Sequence, residues 1–271
     1  MSFKSILIHV RPEPSSDALV RFAAAFAQDQ KAELTGLGAR VAILIADPGY
    51  GYLDASTVQA VIDQEEIDLE KARARFTAVT QSLQIKAHWK THRDFPNSAL
   101  VEEAAGADLI IADRQQAASG YGIDLGALVC EAGLPVLVLA SETPALPIKS
   151  ILVAWRNTRE SRRALSGALP LLKQAERVRL VQVASDRDAD LAREGLRAAT
   201  DRLIAHGVKA DCEVRRCNES VAATLIDEAN AIDADLLVLG AYGHARAREW
   251  VLGGVTHDLL ADAPLPLFLV H

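Results

Sequence analysis

The chain writes the same frame twice. Ser5–Arg11 (SILIHVR) corresponds to Ser150–Arg156 (SILVAWR), and Gly106–Arg114 (GADLIIADR) to Asp233–Ala241 (DADLLVLGA). Leu134–Ala140 (LPVLVLA) corresponds to Leu265–His271 (LPLFLVH). A period of about 145 residues is too long for a solenoid repeat and indicates a duplicated domain. The stretch SETPALPIK between the copies, with Pro144 and Pro147, reads as a linker. The expected domains are therefore 1–143 and 148–271.

Each copy alternates apolar runs with helical spacing. Ile151–Trp155 is followed by Ala164, Leu165, Ala168, Leu169 and Leu172, which recur at threes and fours. Then come RVRLVQVAS, a helical pattern over Leu191–His206, ADCEVRRC, the helix ESVAATLIDEANAI and the strand DLLVLGA. Strands that are apolar nearly throughout, alternating with helices, predict a parallel sheet covered on both faces. Five strands per copy with right-handed crossovers make an α/β sandwich, in which ligands bind at the carboxyl ends of strands where strand order reverses. The copies differ in two places. From Ala107 to Leu134 is 27 residues, but from Ala234 to Leu265 is 31, so the first copy lacks four residues of its last crossover. Before its ADL motif the first copy is 18 residues longer; the surplus, around ADPGYGYLDASTVQ, is expected to form a surface excursion.

A net charge of −7 over 271 residues opposes long-range attraction for nucleic acid or an anionic membrane. No apolar run approaches the roughly 18–20 residues of a bilayer span, and MSFKSILIHVRPEP reads as a first strand, not a signal peptide. A cytoplasmic protein is expected. Three cysteines, Cys130, Cys212 and Cys217, make no disulfide framework. His88 and His92 would lie roughly 13 Å apart on one strand, too far to share an ion, and no metal site is expected.

The second copy's last crossover holds Gly240, Gly243, Gly253 and Gly254, each costly in backbone entropy. Neither G-x-x-x-x-G-K-[ST] nor G-x-G-x-x-G is present. Physically, Gly240 and Gly243 would let the backbone turn sharply and approach a ligand, with a short helix starting near Val255 or Thr256. Free N–H groups at a helix N-terminus favour an anion such as phosphate. Thr256, His244, Arg246, Arg248 and His257 add donors. Glycines at a strand end are also ordinary turn residues.

The pattern G-x2-G-x9-G-[S/T] after a fourth strand resembles the universal stress protein family, and the likeness covers both halves, as in a tandem-domain member. It implies a sheet ordered 3-2-1-4-5 of the adenine nucleotide alpha hydrolase-like type and an adenine nucleotide ligand, ATP first, with Mg2+ allowed beside it. Transferred by position, Gly240, Gly243, Gly253, Gly254, Val255 and Thr256 would hold phosphate and ribose, and Trp155, Arg156 and Val183 would lie by the adenine. Two positions depart. Gly254 stands where the family usually has Ser or Thr. Arg156 stands where it often has Asp, and an arginine cannot accept a hydrogen bond; it could pair with a phosphate instead or lie along the surface by its stem, and Arg11 occupies the same place in the first copy. Asp113 in turn takes the place of Gly240 in the first copy. A carboxylate about 4 Å from a phosphate repels it by roughly 1–4 kcal/mol, so one nucleotide per chain is expected, in the second copy.

The leading functional reading is a sensor or regulator in stress response, because no Ser/His/Asp order, paired carboxylates or metal cluster suggests rapid turnover. A slow ATP hydrolase or nucleotidyl transferase, and a ligand-free interaction scaffold, remain open beside it. The apolar terminal strands LPVLVLA and LPLFLVH would be prone to unwanted pairing if left at an edge. They are expected to join the two halves as a pseudo-dimer, with a homodimer also allowed.

Overall fold

The computed structural model describes residues 2–40, 55–114, 122–140, 146–243 and 254–271. These group into two compact units, Phe3–Ile111 with Gln115–Asp124, and Leu125–His271 with Ala112–Arg114 and the first two residues.

The N-terminal unit is built from β1 (Ser5–His9), α1 (Asp17–Gln30), β2 (Glu33–Ala39), α2 (Ala55–Ser82), β3 (Ala87–His92), α3 (Pro96–Glu103) and β4 (Leu109–Asp113). Its strands are parallel in the order β3-β2-β1-β4. Leu7, Ile8 and Ile110 are fully enclosed, as expected of strands covered on both faces. Edge strand β3 instead alternates between half-buried and exposed positions. Part of the first copy's surplus length is helical. Helix α2 runs for 28 residues and takes in Ser56–Gln59, the end of the expected excursion; the rest of that stretch lies outside the described residues.

The C-terminal unit contains α4 (Leu125–Glu131), β5 (Val136–Leu139), β6 (Ser150–Ala154), α5 (Arg159–Gly167), α6 (Leu169–Leu172), β7 (Arg177–Val183), α7 (Ala189–Ala205), β8 (Ala210–Arg215), α8 (Val221–Ala231), β9 (Leu236–Gly240), α9 (Val255–Asp262) and β10 (Leu267–Val270). Strands β10-β9-β6-β7-β8 run parallel. Numbered within the repeat this is 5-4-1-2-3, the expected order read from the other edge. The single helical pattern over Ala164–Leu172 is divided at Ala168, with Pro170 in the first turn of α6, where its missing N–H costs nothing. Strand β5, which the repeat places in the first copy, pairs antiparallel with β10, Leu137 facing Phe268. All four residues of each of these strands are buried. Each fully buried Leu or Phe stabilises by about 1.5–3 kcal/mol, which removes the apolar edge that either strand would otherwise expose.

The repeated A-D-L motif acts at the opposite end of the sheet. The Asp108 carboxylate accepts from the backbone N–H groups of Lys4 and Ser5 at 2.7 and 3.1 Å. Asp235 does the same for Lys149 and Ser150, at 2.8 Å each. One side chain thus satisfies two donors that enter each first strand, which accounts for the motif without any ligand.

Candidate functional site

The chain leaves β6 outward to β7 and β8, then crosses back to β9 and β10. The β6/β9 boundary is therefore the switch point of the C-terminal unit. Ala154 ends β6 opposite Leu239 on one side and Val181 on the other. The carboxyl ends of β9, β6 and β7 consequently bring Gly240, Trp155 and Arg156, and Val183 to one edge. Arg156 is exposed, and Val183 is half-buried. The first-copy counterpart Arg11 is instead buried, its backbone N–H donating to Ser16 Oγ at 3.1 Å.

Trp155 is 7% exposed, and its indole Nε1 is buried without a hydrogen-bond partner among the described residues. A buried N–H left in that state costs about 1–3 kcal/mol. It is a donor to which a ligand acceptor would be complementary.

The glycines do something other than turning the chain. The left-handed residue after β9 is Tyr242, at φ 55°, whereas neither Gly240 nor Gly243 has a positive φ. Their need is steric. A Cβ on Gly240 would lie 2.5 Å from the Glu160 carbonyl carbon, and closer still to the Ser161 nitrogen. The first turn of α5 therefore sits directly on the end of β9, and only glycine leaves it room. On Gly243 a Cβ would lie 2.7 Å from Glu160 Oε2 and 3.6 Å from Thr158 Oγ1. The helix that reaches in is fixed by Thr158, its N-cap, whose hydroxyl accepts from Ser161 N at 3.3 Å.

Glu160 is itself buried. Burial pushes its pKa up, but hydrogen bonds from its own backbone N–H, Arg159 and Thr158 outweigh that and hold it below the usual glutamate value. It is thus an ionised carboxylate beside the glycines. Sequence reasoning missed it, because the neighbour that matters lies some 80 positions away.

Gly254 is the N-cap of α9 with extended backbone (φ −159°), and among the described residues nothing lies within 4 Å of where its Cβ would be. Val255 begins that helix half-buried, and Thr256 follows it, buried. His257 faces solvent, its Nδ1 3.5 Å from Asp258 Oδ1. Another unforeseen member is His271, whose Nδ1 lies 3.1 Å from the Ala241 carbonyl; that bond requires the proton on Nδ1. His244, Arg246, Arg248 and Gly253 lie outside the described residues.

The first copy's register identifies the residue that takes the place of Gly240. Ile6 pairs with Leu109 as Ile151 pairs with Leu236, so Asp113 stands at the strand position of Gly240. The next residue, Arg114, has a structural task. Its guanidinium donates to the carbonyls of Ala263 and Leu265 (the latter at 3.1 Å), tying the turn between α9 and β10. His88 and His92 each face a carboxylate of their own, Glu33 at 3.1 Å and Glu103 at 2.8 Å. Among the described residues no group of three or more His, Cys, Asp or Glu is placed to hold a metal ion, and no helix is long and apolar enough to cross a membrane.

A parallel α/β unit with a glycine-bearing crossover at its switch point defines a class, and the sequence of that unit defines the family. Residues 147–271 match the model of the universal stress protein family, and this half of the chain is a universal stress protein domain. No curated protein matches the chain in sequence. Among solved structures, a universal stress protein from Archaeoglobus fulgidus DSM 4304 superposes with a TM-score of 0.74 at 15% identity, over 98% of this chain and 95% of that one. A protein of unknown function from Pseudomonas aeruginosa PAO1 superposes at 0.59 and 16% identity, over 99% and 92%. At these identities the likeness establishes the fold of the full chain.

Proposed function

We propose that the chain binds an adenine nucleotide, ATP or a relative, through its C-terminal domain (148–271) and works as a sensor or regulator in stress response. The observation that carries this reading is the orphaned Trp155 N–H at the switch point of a universal stress protein domain. The base would lie by Trp155 and Val183, with Trp155 donating to a ring acceptor. The phosphate end would meet the N-terminus of α9, where Gly254, Val255 and Thr256 offer backbone N–H groups and a partial positive charge. Mg2+ would enter as the counter-ion of the phosphates. The first domain (1–143) would stay empty, because Asp113 sets a carboxylate at the Gly240 position, and would serve as the other half of an intramolecular pseudo-dimer. A cytoplasmic location and a further homodimer are consistent with it.

The test is direct. The protein is purified without added nucleotide, denatured, and the released small molecules are identified by mass spectrometry. An adenine nucleotide near one equivalent supports the reading. If none is released and millimolar adenosine, AMP or ATP gives no thermal shift, the chain is an interaction scaffold instead.

A further inference from the structure

The two glycines that would bring backbone to a phosphate are faced by a carboxylate. Glu160 Oε2 lies where a Gly243 side chain would begin, 2.7 Å from the Cβ position, and Glu160 Cβ is 2.9 Å from the Cβ position of Gly240. The side chain is only 6% exposed. Arg159 Nε approaches Oε1 at 2.9 Å and partly compensates the carboxylate, but the Arg159 side chain is 61% exposed, so solvent weakens that compensation without cancelling it. Polyphosphate led along Gly240 and Gly243 would thus meet a fixed negative charge at close range. A nucleoside, which carries no charge, would not, and a monophosphate brings less charge to repel than a triphosphate. The carboxylate also has acceptor capacity, which ribose hydroxyls can use and which Arg156 cannot supply.

We infer that Glu160 is a specificity residue that makes the C-terminal site select adenosine and its monophosphate over the triphosphate. This rests on the nucleotide reading above and narrows it. The experiment is titration calorimetry of the full chain with adenosine, AMP and ATP, on the wild type, Glu160→Gln and Arg159→Gln. Glutamine keeps the size of Glu160 and removes its charge. The wild type should bind AMP at least tenfold more tightly than ATP. Glu160→Gln should shrink that ratio at least fivefold by gaining affinity for ATP, while adenosine, to which glutamine still offers one acceptor oxygen, changes far less. Arg159→Gln, which strips the compensating charge, should widen it.

Wild-type protein that binds ATP as tightly as AMP overturns the inference and leaves the nucleotide reading standing. So does a ratio unchanged in Glu160→Gln. Should that variant fail to fold, Arg159→Gln decides the matter, and a ratio that stays constant or narrows there refutes the inference. Wild-type protein that takes none of the three ligands overturns the nucleotide reading, and this inference with it.

Discussion

Replacing Gly240 with alanine should destabilise the C-terminal unit even though the residue sits at the end of a strand. The added methyl would meet backbone, the carbonyl carbon of Glu160 at 2.5 Å and the Ser161 nitrogen nearer still, where no rotamer change can relieve it. The helix cannot retreat freely, because Thr158 caps it and Ala164 and Leu165 are buried beneath it. Inserting a methyl into a packed site of this kind costs about 1–3 kcal/mol. For a unit of this size that lowers Tm by about 2–4 °C per kcal/mol. The control is Gly254→Ala, where no described atom lies within 4 Å of the added Cβ and the loss of glycine at the N-cap should cost no more than about 1 kcal/mol. Urea and thermal unfolding followed by circular dichroism would measure both, with the m-value checked for constancy. The steric account fails if the two variants unfold alike, or if Gly254→Ala is the weaker.

Four further outcomes are expected. Thr158→Ala removes the cap on Ser161 N and should cost about 0.5–2 kcal/mol in the same unfolding assay; no loss would mean the cap is idle. Arg114→Ala should lower the urea midpoint, and Arg114→Lys should not restore it, because a single ammonium cannot reproduce the fork that reaches Ala263 and Leu265. Gly254→Ser returns a hydroxyl to the start of α9 and should tighten AMP binding by about two- to tenfold, one net hydrogen bond; unchanged affinity in calorimetry would place the ligand elsewhere. In the N-terminal unit, burial raises the pKa of Glu103, but hydrogen bonds from Lys90 and His92 outweigh it and leave the group lowered. Its contribution to stability is therefore present above the unfolded carboxylate value of about 4.3 and lost as pH falls through the lower folded value. Glu103→Gln should flatten the loss of urea stability below about pH 4.5, and an unaltered acid limb would contradict this.

Local repetition made the architecture readable. Three apolar segments recurring in order, with helical spacing between them, fix parallel strands and their sequence because burial on both faces admits few other patterns. The relation of Asp113 to Gly240 was also legible, since strand register preserves it. What the sequence hid depends on non-local distance. Gly240 and Gly243 read as turn-makers, yet Tyr242 takes the left-handed conformation and the glycines make room for α5. That role is visible only once Glu160 and Ser161 are placed against them. Likewise the shared aspartates of the A-D-L motifs gave no local sign that they tie down the start of another strand, about 100 residues away in the first copy.

The central claim is a single nucleotide site per chain, built on the second glycine crossover. Titration of the intact protein with AMP tests it most directly, beside Gly243→Val. A valine there would begin 2.7 Å from Glu160 Oε2 and 3.6 Å from Thr158 Oγ1, so it should close the approach to the backbone, and its melting is followed beside that of the wild type to separate lost binding from lost fold. The account predicts one site per chain in the wild type and none in the variant. Two equal sites, or binding that survives Gly243→Val at full strength, would contradict it.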